Sequence, residues 1–196
     1  MDRVIDPDLL AAASWTTEPA AWRRTGDGLE VTAVQGSDAW RHTSYGFVHD
    51  DAHGLLAPFG ARDALEVSFR LTYDQQFDQA GVLLRAAPDT WVKAGVEVSD
   101  GVPQVGAVVT SGRSDWSVAP VPDWSGREVT VRASRDGDAV TVRARVDDEP
   151  FRLVRVAPVD PGLQLAAGPY CCAPTREGLV VAFTGWRRTA PDPALH

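Results

Sequence analysis

Residues 77–117 read FDQAGVLLRAAPDTWVKAGVEVSDGVPQVGAVVTSGRSDWS. The dipeptide Asp100-Gly101 within this stretch is a strong hairpin signal, because a type I′ turn requires positive φ at both central residues. A two-residue turn at this point pairs Gly95 with Gly106 on the next strand. The stretch therefore predicts four β-strands joined by tight turns, and it sets the register of the central sheet.

Side chains alternate between the two faces of a strand, so each strand of this sheet separates into two sets. One set is apolar, as in Val92, Ala94, Val96 and Val98, and we expect it to face the core. The other set is mixed and we expect it on an open, concave face. Its members are Gln79, Gly81, Leu83, Arg85, Trp91, Lys93, Gly95, Glu97, Gln104, Gly106, Val108 and Thr110.

Three glycines of the mixed set, Gly81, Gly95 and Gly106, are predicted to form one row across adjacent strands. Glycine inside a strand marks a bend or a close approach by another group. Two interpretations follow: the row permits a sheet bend, or it is the floor of a ligand groove. Lys93, the only lysine in the chain, is likewise either a site ammonium or an ordinary ion-paired side chain.

The composition limits the partners and the compartment. The chain has 196 residues and a formal net charge of −8, with 27 acidic and 19 basic residues, which argues against nucleic acid and anionic membranes as partners. No stretch of apolar residues is long enough to span a bilayer, and residues 1–15 lack the pattern of a signal peptide. We therefore expect a cytoplasmic protein.

The sequence predicts neither a metal site nor a cofactor. Cys171 and Cys172 are adjacent, and a bridge between neighbours is strained, so we expect two reduced thiols. His42, His49 and His53 could approach one another near a turn, but their spacing is unspecific for a metal.

The remaining chain is a series of short alternating segments separated by turns, such as Gly26-Asp27-Gly28. This pattern is typical of an all-β sandwich or barrel. It predicts an N-terminal tail over residues 1–14 with a short helical turn, one domain over residues 15–188, and a disordered C-terminal tail over residues 189–196.

Five blocks in order carry a resemblance to a known family. They are WRHTSYGFVHDDAHGL (40–55), YDQQFDQAGVLLR (73–85), TWVKAGVEV (90–98), SDWSV (114–118) and GPYCCAPTREGLVVAFTGW (168–186). The chain resembles the concanavalin-A-like domains of unknown function that carry the label "regulation of enolase". The resemblance implies a two-sheet antiparallel jelly-roll sandwich of the lectin and glucanase type. It implies no settled activity, although some members occur in carbohydrate-utilisation contexts.

Rings and polar groups of the predicted open face suit a sugar, whose apolar side stacks on aromatic rings while polar side chains bond its hydroxyls. The register after Thr110 leaves open whether Asp115 or Trp116 faces the groove. The candidate ligand-binding residues are His42, Tyr45, Gln79, Arg85, Trp91, Lys93, Glu97, Gln104, Asp115 and Trp116.

Three functions remain open at this point. The first is binding of a small carbohydrate or related polar metabolite. The second is a carbohydrate-active enzyme, a hydrolase or isomerase, that uses Glu97 with Asp115 or His42, although Glu97 lacks a second acid on its own strand. The third is a protein-interaction or assembly module, for which a homodimer through an exposed sheet edge is possible.

Overall fold

The computed structural model describes residues 4–26 and 28–195. It contains one short α-helix, one 3₁₀ turn (Pro122–Trp124) and strands throughout. The elements are α1 (Pro7–Ala12), β1 (Ser14–Trp15), β2 (Ala21–Thr25), β3 (Gly28–Thr32), β4 (Ala39–Arg41), β5 (Val48–Asp50), β6 (His53–Phe59), β7 (Ala64–Arg70), β8 (Gln79–Ala87), β9 (Thr90–Ser99), β10 (Val102–Ser111), β11 (Arg113–Ser114), β12 (Ser117–Pro120), β13 (Glu128–Asp136), β14 (Ala139–Val146), β15 (Arg152–Pro158), β16 (Leu165–Cys172) and β17 (Val180–Thr189).

The strands form two large antiparallel sheets and one small hairpin. The eight-stranded sheet has the order β1-β6-β16-β8-β9-β10-β11, and β12 also pairs with β10. The seven-stranded sheet has the order β15-β14-β13-β7-β17-β3-β2. The predicted all-β, two-sheet antiparallel jelly-roll sandwich is confirmed. The hairpin β4-β5 stands apart from both sheets.

The hairpin register predicted from Asp100-Gly101 is confirmed. Both turn residues have positive φ, 54° and 80°, and Gly95 pairs with Gly106. Gly81 in turn pairs with Gly95 across β8 and β9, so the predicted row of glycines exists. The predicted turn at residues 26–28 joins β2 to β3, but Asp27 itself lies outside the described residues.

The glycine row is explained by the close approach of neighbouring backbones. A Cβ on Gly95 would lie 2.0 Å from the carbonyl oxygen of Ala80, and one on Gly81 would lie 2.0 Å from that of Ala94. Real Cβ atoms do not approach this closely, so any larger residue must displace backbone. The glycines are therefore required by the spacing of the neighbouring strands. Gly95 and Gly106 also line a shallow depression of about 20 Å³ beside Glu97, so both the sheet bend and the groove floor stay predictions.

The core lies between the two sheets and contains the apolar sets predicted from the alternation. Val82, Val96 and Val131 have at most 1% of their surface exposed, and Phe69 packs on Phe183 with the ring centroids 6.3 Å apart. Removal of this apolar surface from water is the main favourable contribution to folding.

The predicted open face of the eight-stranded sheet is covered, which corrects the sequence analysis. Lys93, Gln79 and Trp91 are at most 3% exposed. A second apolar cluster lies on this face and joins Trp40 of the β4-β5 hairpin to sheet residues such as Trp91 and Tyr170. The hairpin therefore lies over the outer face of this sheet, a long-range contact that local alternation does not encode.

The C-terminal segment, residues 190–195, covers part of the outer face of the seven-stranded sheet. Asp192 accepts a hydrogen bond from Arg132 at 2.8 Å and forms an ion pair with Arg143. The backbone carbonyls of Ala190 and Leu195 accept bonds from the same two arginines, both at 2.8 Å. The sequence analysis predicted disorder for residues 189–196 and did not predict these contacts.

The N-terminal segment also contacts the core, although it was predicted to be a tail. Asp6 caps α1 by accepting the backbone N–H of Asp8 at 2.9 Å, and the helix lies where a short helical turn was predicted. Ile5 and Leu9 are buried in the core, and Ile5 bridges to Trp186 of β17. Apolar contacts therefore hold this segment on the sandwich.

Candidate functional site

A cavity of about 330 Å³ lies between the β4-β5 hairpin and the outer face of the eight-stranded sheet. This volume is sufficient for a small ligand. The cavity is lined by Gly36, Asp38, Trp40, Tyr45, Phe47, His49, Phe77, Gln79, Lys93, Glu97, Val108, Trp116 and Pro174.

One end of the cavity holds a connected polar network. The buried Lys93 Nζ donates to Asp38 Oδ1 at 2.9 Å and to Gln79 Oε1 at 2.8 Å. Gln79 Nε2 donates to Asp38 Oδ1 at 3.3 Å and to the carbonyl of Phe77 at 3.2 Å. Burial acts to lower the pKa of Lys93, but Asp38 foremost among its neighbours raises it, and the net shift is upward. Lys93 is therefore a charged, ion-paired side chain.

Glu97 lies on the same face of β9 as Lys93, with Gly95 between them. Four residues of strand place their Cα atoms about 13 Å apart. The side chain of Glu97 has no hydrogen-bond or ion-pair partner among residues 4–26 and 28–195. Burial of the Glu97 carboxyl raises its pKa from the usual 4.5 to about 7. The charge of Lys93 opposes this upward shift, and the charge of Asp38 adds to it.

Aromatic rings form the wall opposite the sheet. Tyr45 stacks on Phe47 with centroids 5.4 Å apart and planes at 15°, and Trp40 meets Tyr45 edge-on at 5.7 Å. Phe47 meets His49 edge-on at 5.0 Å. Tyr45 and Trp116 are 57% and 39% exposed, so ring surface is available at the mouth of the cavity.

The structure brings five of the ten predicted site residues together at this cavity. They are Tyr45, Gln79, Lys93, Glu97 and Trp116. Between the two alternatives left open after Thr110, it is Trp116 that faces the cavity. Asp115 instead forms an ion pair with Arg155 and accepts the backbone N–H of Val109 at 3.2 Å.

The other four predicted residues have structural contacts elsewhere. His42 lies in the hairpin loop with φ of 62°, and Arg85 pairs with Asp50 at 2.8 Å, which ties the hairpin to the sheet. Trp91 is buried in the apolar cluster under the hairpin. Gln104 donates to the carbonyl of Ser99 at 3.2 Å.

Several cavity residues were not in the predicted set. Asp38, Trp40 and Phe47 were not among the predicted site residues, and His49 was considered only as a metal ligand. The spacing of Phe47 and His49 was the available signal, since two rings two residues apart share one side of an extended segment. Tyr45 lies in the turn before them, where Gly46 has a φ of 77°. No local sequence pattern predicts that this segment lies over β9.

A larger cavity, of about 490 Å³, opens at one end of the sandwich between the two sheets. Its lining is mainly apolar, including Leu84, Val140 and Leu163, with Asp138 and Asp160. It lacks the buried network of the first cavity, so the first cavity is the candidate site.

The remaining groups considered for chemistry are structural. Cys171 and Cys172 are free, fully buried thiols, and burial raises the pKa of Cys171 to about 12. His53 is buried; its Nε2 accepts the N–H of Val34 at 3.0 Å, and its Nδ1 lies 3.1 Å from the carbonyl of Thr17. This pairing fixes a neutral imidazole with the proton on Nδ1.

Two further observations concern the described part of the chain. It has no group of three or more His, Cys, Asp or Glu side chains placed to hold a metal ion. It also has no helix of sufficient length and hydrophobicity to cross a membrane.

The fold and the cavity define a β-sandwich domain with a small-molecule-sized pocket on the outer face of one sheet. The chain belongs to the DUF1349 family, described as "Protein of unknown function", whose model matches residues 15–191. The family resemblance predicted from the five sequence blocks is thereby confirmed.

Individual relatives agree with this assignment. "Regulation of enolase protein 1" of Saccharomyces cerevisiae is 33% identical over 188 residues, which cover 95% of this chain and 94% of that protein. A crystal structure of a functionally unknown protein from Saccharomyces cerevisiae is 32% identical, with a TM-score of 0.88, and the match covers 94% of this chain and 99% of that one.

The fold also resembles part of a glycoside hydrolase. The GH43 BlXynB protein from Bacillus licheniformis matches with a TM-score of 0.71 at 10% identity, over 91% of this chain and 37% of that one. At this identity the likeness concerns the fold alone.

Proposed function

We propose that this protein binds a small carbohydrate or a related polar metabolite in the cavity between the β4-β5 hairpin and β9. The proposal is carried by the lining of the cavity, in which aromatic rings and polar groups lie opposite each other. Tyr45 and Trp116 present ring surface at the mouth, and the unpaired Glu97 lies inside. Rings stack on the apolar faces of sugars, and carboxylates accept hydrogen bonds from hydroxyls.

The fold-level neighbours support the proposal only by analogy. The sandwich occurs as part of a GH43 glycoside hydrolase, and other similar structures include a xylan beta-1,4-xylosidase from Bacillus halodurans. A shared sandwich does not transfer a substrate, so the argument rests on the lining of the cavity.

The test is an NMR titration of the wild-type protein with neutral monosaccharides, disaccharides and polyols. We expect saturable chemical-shift changes confined to the cavity-lining residues. Absence of binding across the panel, or changes confined to another surface, would contradict the proposal.

A carbohydrate-active enzyme is the second candidate, in a form that differs from the sequence-based one. Neither Asp115 nor His42 lines the cavity, so the pairs predicted with Glu97 are not formed there. Asp38 is instead the second carboxyl, and it contributes to the raised pKa of Glu97. Two carboxyls in unlike environments can divide acid and base roles. Released reducing sugar or an isomerised product after incubation, lost in Asp38→Asn and Glu97→Gln, would favour this candidate.

The interaction-module hypothesis has one supporting feature, the exposed side chains at the mouth of the cavity. Tyr45, Phe47, Val48 and Trp116 are 39–57% exposed. A homodimer covering this patch would show twice the monomer mass by light scattering, and Tyr45→Ala would return it to a monomer.

A further inference from the structure

We propose that the cavity selects a sugar carrying a protonated amine, with Glu97 as the counterion of the ammonium group. The inference rests on the proposed sugar-binding function and names the ligand class for the same cavity. It predicts preference for amino sugars over neutral sugars, and rejection of sugar acids and sugar phosphates.

The charges already inside the cavity disfavour an anionic ligand. The cation that lines it, Lys93, already contacts Asp38 at 2.9 Å and Gln79 at 2.8 Å. An anionic ligand would therefore find the charge of Lys93 already balanced. It would also lie near the carboxyls of Asp38 and Glu97. Burial of a charge without a partner is costly, so the cavity disfavours phosphate and carboxylate groups.

The carboxyl of Glu97 is left without a partner by the described part of the chain. Among the described residues no side chain donates to its carboxyl, although it lies in a largely enclosed position on β9. A ligand that supplies one positive charge and N–H donors would satisfy this group. Charge-assisted hydrogen bonds of this kind are stronger than those between neutral groups.

The aromatic wall of the cavity attracts cations as well as the apolar face of a sugar ring. The stacked Tyr45 and Phe47 and the exposed Trp116 line the same cavity as Glu97. The faces of such rings carry negative electrostatic potential, which favours an ammonium group beside them. A carboxyl and several rings around one cavity form a combination that suits an amine-bearing sugar.

The titratable groups around Glu97 determine how the preference depends on pH. Lys93 and Asp38 form the ion pair described above, and His49 and Tyr45 line the cavity from the hairpin. Tyr73 lies on the core side of β9, Tyr170 lies in the apolar cluster on the cavity side, and burial raises the pKa of both phenols well above the usual value. Since the pKa of Glu97 is about 7, the carboxylate needed as counterion forms as the pH rises toward neutrality.

The experiment compares matched sugars by NMR titration of the full chain at about pH 7. Glucose, galactose and mannose are each tested beside their 2-amino and 2-acetamido forms, and glucuronate and glucose 6-phosphate are the anionic probes. We expect at least one 2-amino sugar to bind at least about fivefold more tightly than its neutral counterparts, with no binding of the anionic probes.

Two variants assign the preference to Glu97. In Glu97→Gln the ratio of amine to neutral affinity should fall to about one, because the ammonium loses its counterion. Glu18→Gln is the matched control: Glu18 is exposed and outside the cavity, and the ratio should stay at the wild-type value. As a measurement independent of variants, wild-type affinity for the 2-amino sugar should rise between about pH 5 and about pH 7 while that for the neutral sugar stays constant.

The outcomes separate this inference from the proposed function. Neutral sugars that bind as tightly as 2-amino sugars would overturn the inference and leave sugar binding intact. A preference that persists in Glu97→Gln, or equal binding of glucuronate, would also overturn it. Failure of every sugar to bind would overturn both.

Discussion

The outer faces of both sheets are partly covered, but the carboxyl groups on the two faces differ in how they are paired. On the seven-stranded sheet, Glu66 contacts Arg132 at 3.1 Å and Arg187 at 2.6 Å, and Asp192 bonds to two arginines. On the eight-stranded sheet, Lys93 pairs with Asp38 but Glu97 has no partner in the described chain. On the seven-stranded sheet, the ion pairs of Glu66 and Asp192 hold the C-terminal segment against the sheet, and we call this network the clamp. On the eight-stranded sheet, the carboxyl of Glu97 stays available to a group from outside the chain.

The largest expected effect comes from breaking the clamp with Arg132→Met. The variant removes bonds to Glu66, Asp192 and the carbonyl of Ala190 while it keeps an aliphatic stem. Loss of one member of a buried charge network costs about 3–5 kcal/mol, so the melting temperature should fall by about 10 °C or more. Thermal denaturation followed by circular dichroism measures it, and a shift below about 2 °C would show that the clamp is not structural.

A smaller loss is expected for Lys93→Met on the other sheet. The methionine leaves Asp38 and Gln79 without the ammonium donor, but Asp38 still accepts from Ala39 N at 2.7 Å. We expect a loss of about 2–3 kcal/mol, or about 5–10 °C in melting temperature. An unchanged melting temperature would show that the pair of Lys93 and Asp38 adds nothing to stability, in contrast to the network around Arg132.

Glu97→Gln should differ from both, because the wild-type carboxyl is not paired. Its pKa is raised from 4.5 in the unfolded chain to about 7 in the fold, so the folded state retains a proton that the unfolded chain releases. Wild-type stability therefore falls relative to Glu97→Gln as the pH rises between these values. The two proteins should melt together near pH 4.5, and the variant should melt higher at about pH 8. Equal differences at both pH values would show that Glu97 is paired.

The smallest effect on stability is expected for Tyr45→Ala. Tyr45 is 57% exposed, so the free energy of unfolding should change by less than about 0.5 kcal/mol. Loss of the ring should still weaken sugar binding about threefold to tenfold, and Tyr45→Phe, which keeps the ring, should retain most of the affinity. Equal affinity of all three proteins would remove the aromatic wall from the binding argument.

The central sheet could be predicted because its determinants are local. Positive φ at Asp100 and Gly101 sets the hairpin register, and that register brings Gly95 beside Gly106. Alternation then assigns every side chain to a face. A second Asp-Gly dipeptide, at residues 136–137, shows that this motif does not always occupy both turn positions. Asp136 pairs with Ala139, so the two turn residues are Gly137 and Asp138.

The site could be predicted only in part, because half of it comes from a distant segment. Gln79, Lys93 and Glu97 followed from the parity of β8 and β9. Asp38 and Phe47 lie on the hairpin, and its position depends on contacts such as that between Arg85 and Asp50. The same cover explains why Trp91 is core rather than ligand surface. A local sequence pattern predicts neither the ion pair between Arg85 and Asp50 nor the position of the hairpin over Trp91.

The reactivity of the adjacent cysteines of β16 reports which side of this strand becomes exposed to solvent. Successive residues of a strand point to opposite faces, so Cys171 lies in the sandwich core and Cys172 in the cluster beneath the hairpin. Both thiols are fully buried, and each reacts with an alkylating reagent only after its own side is exposed. Pulsed alkylation read by peptide mass therefore distinguishes lifting of the hairpin, which labels Cys172 alone, from separation of the two sheets, which labels Cys171 alone.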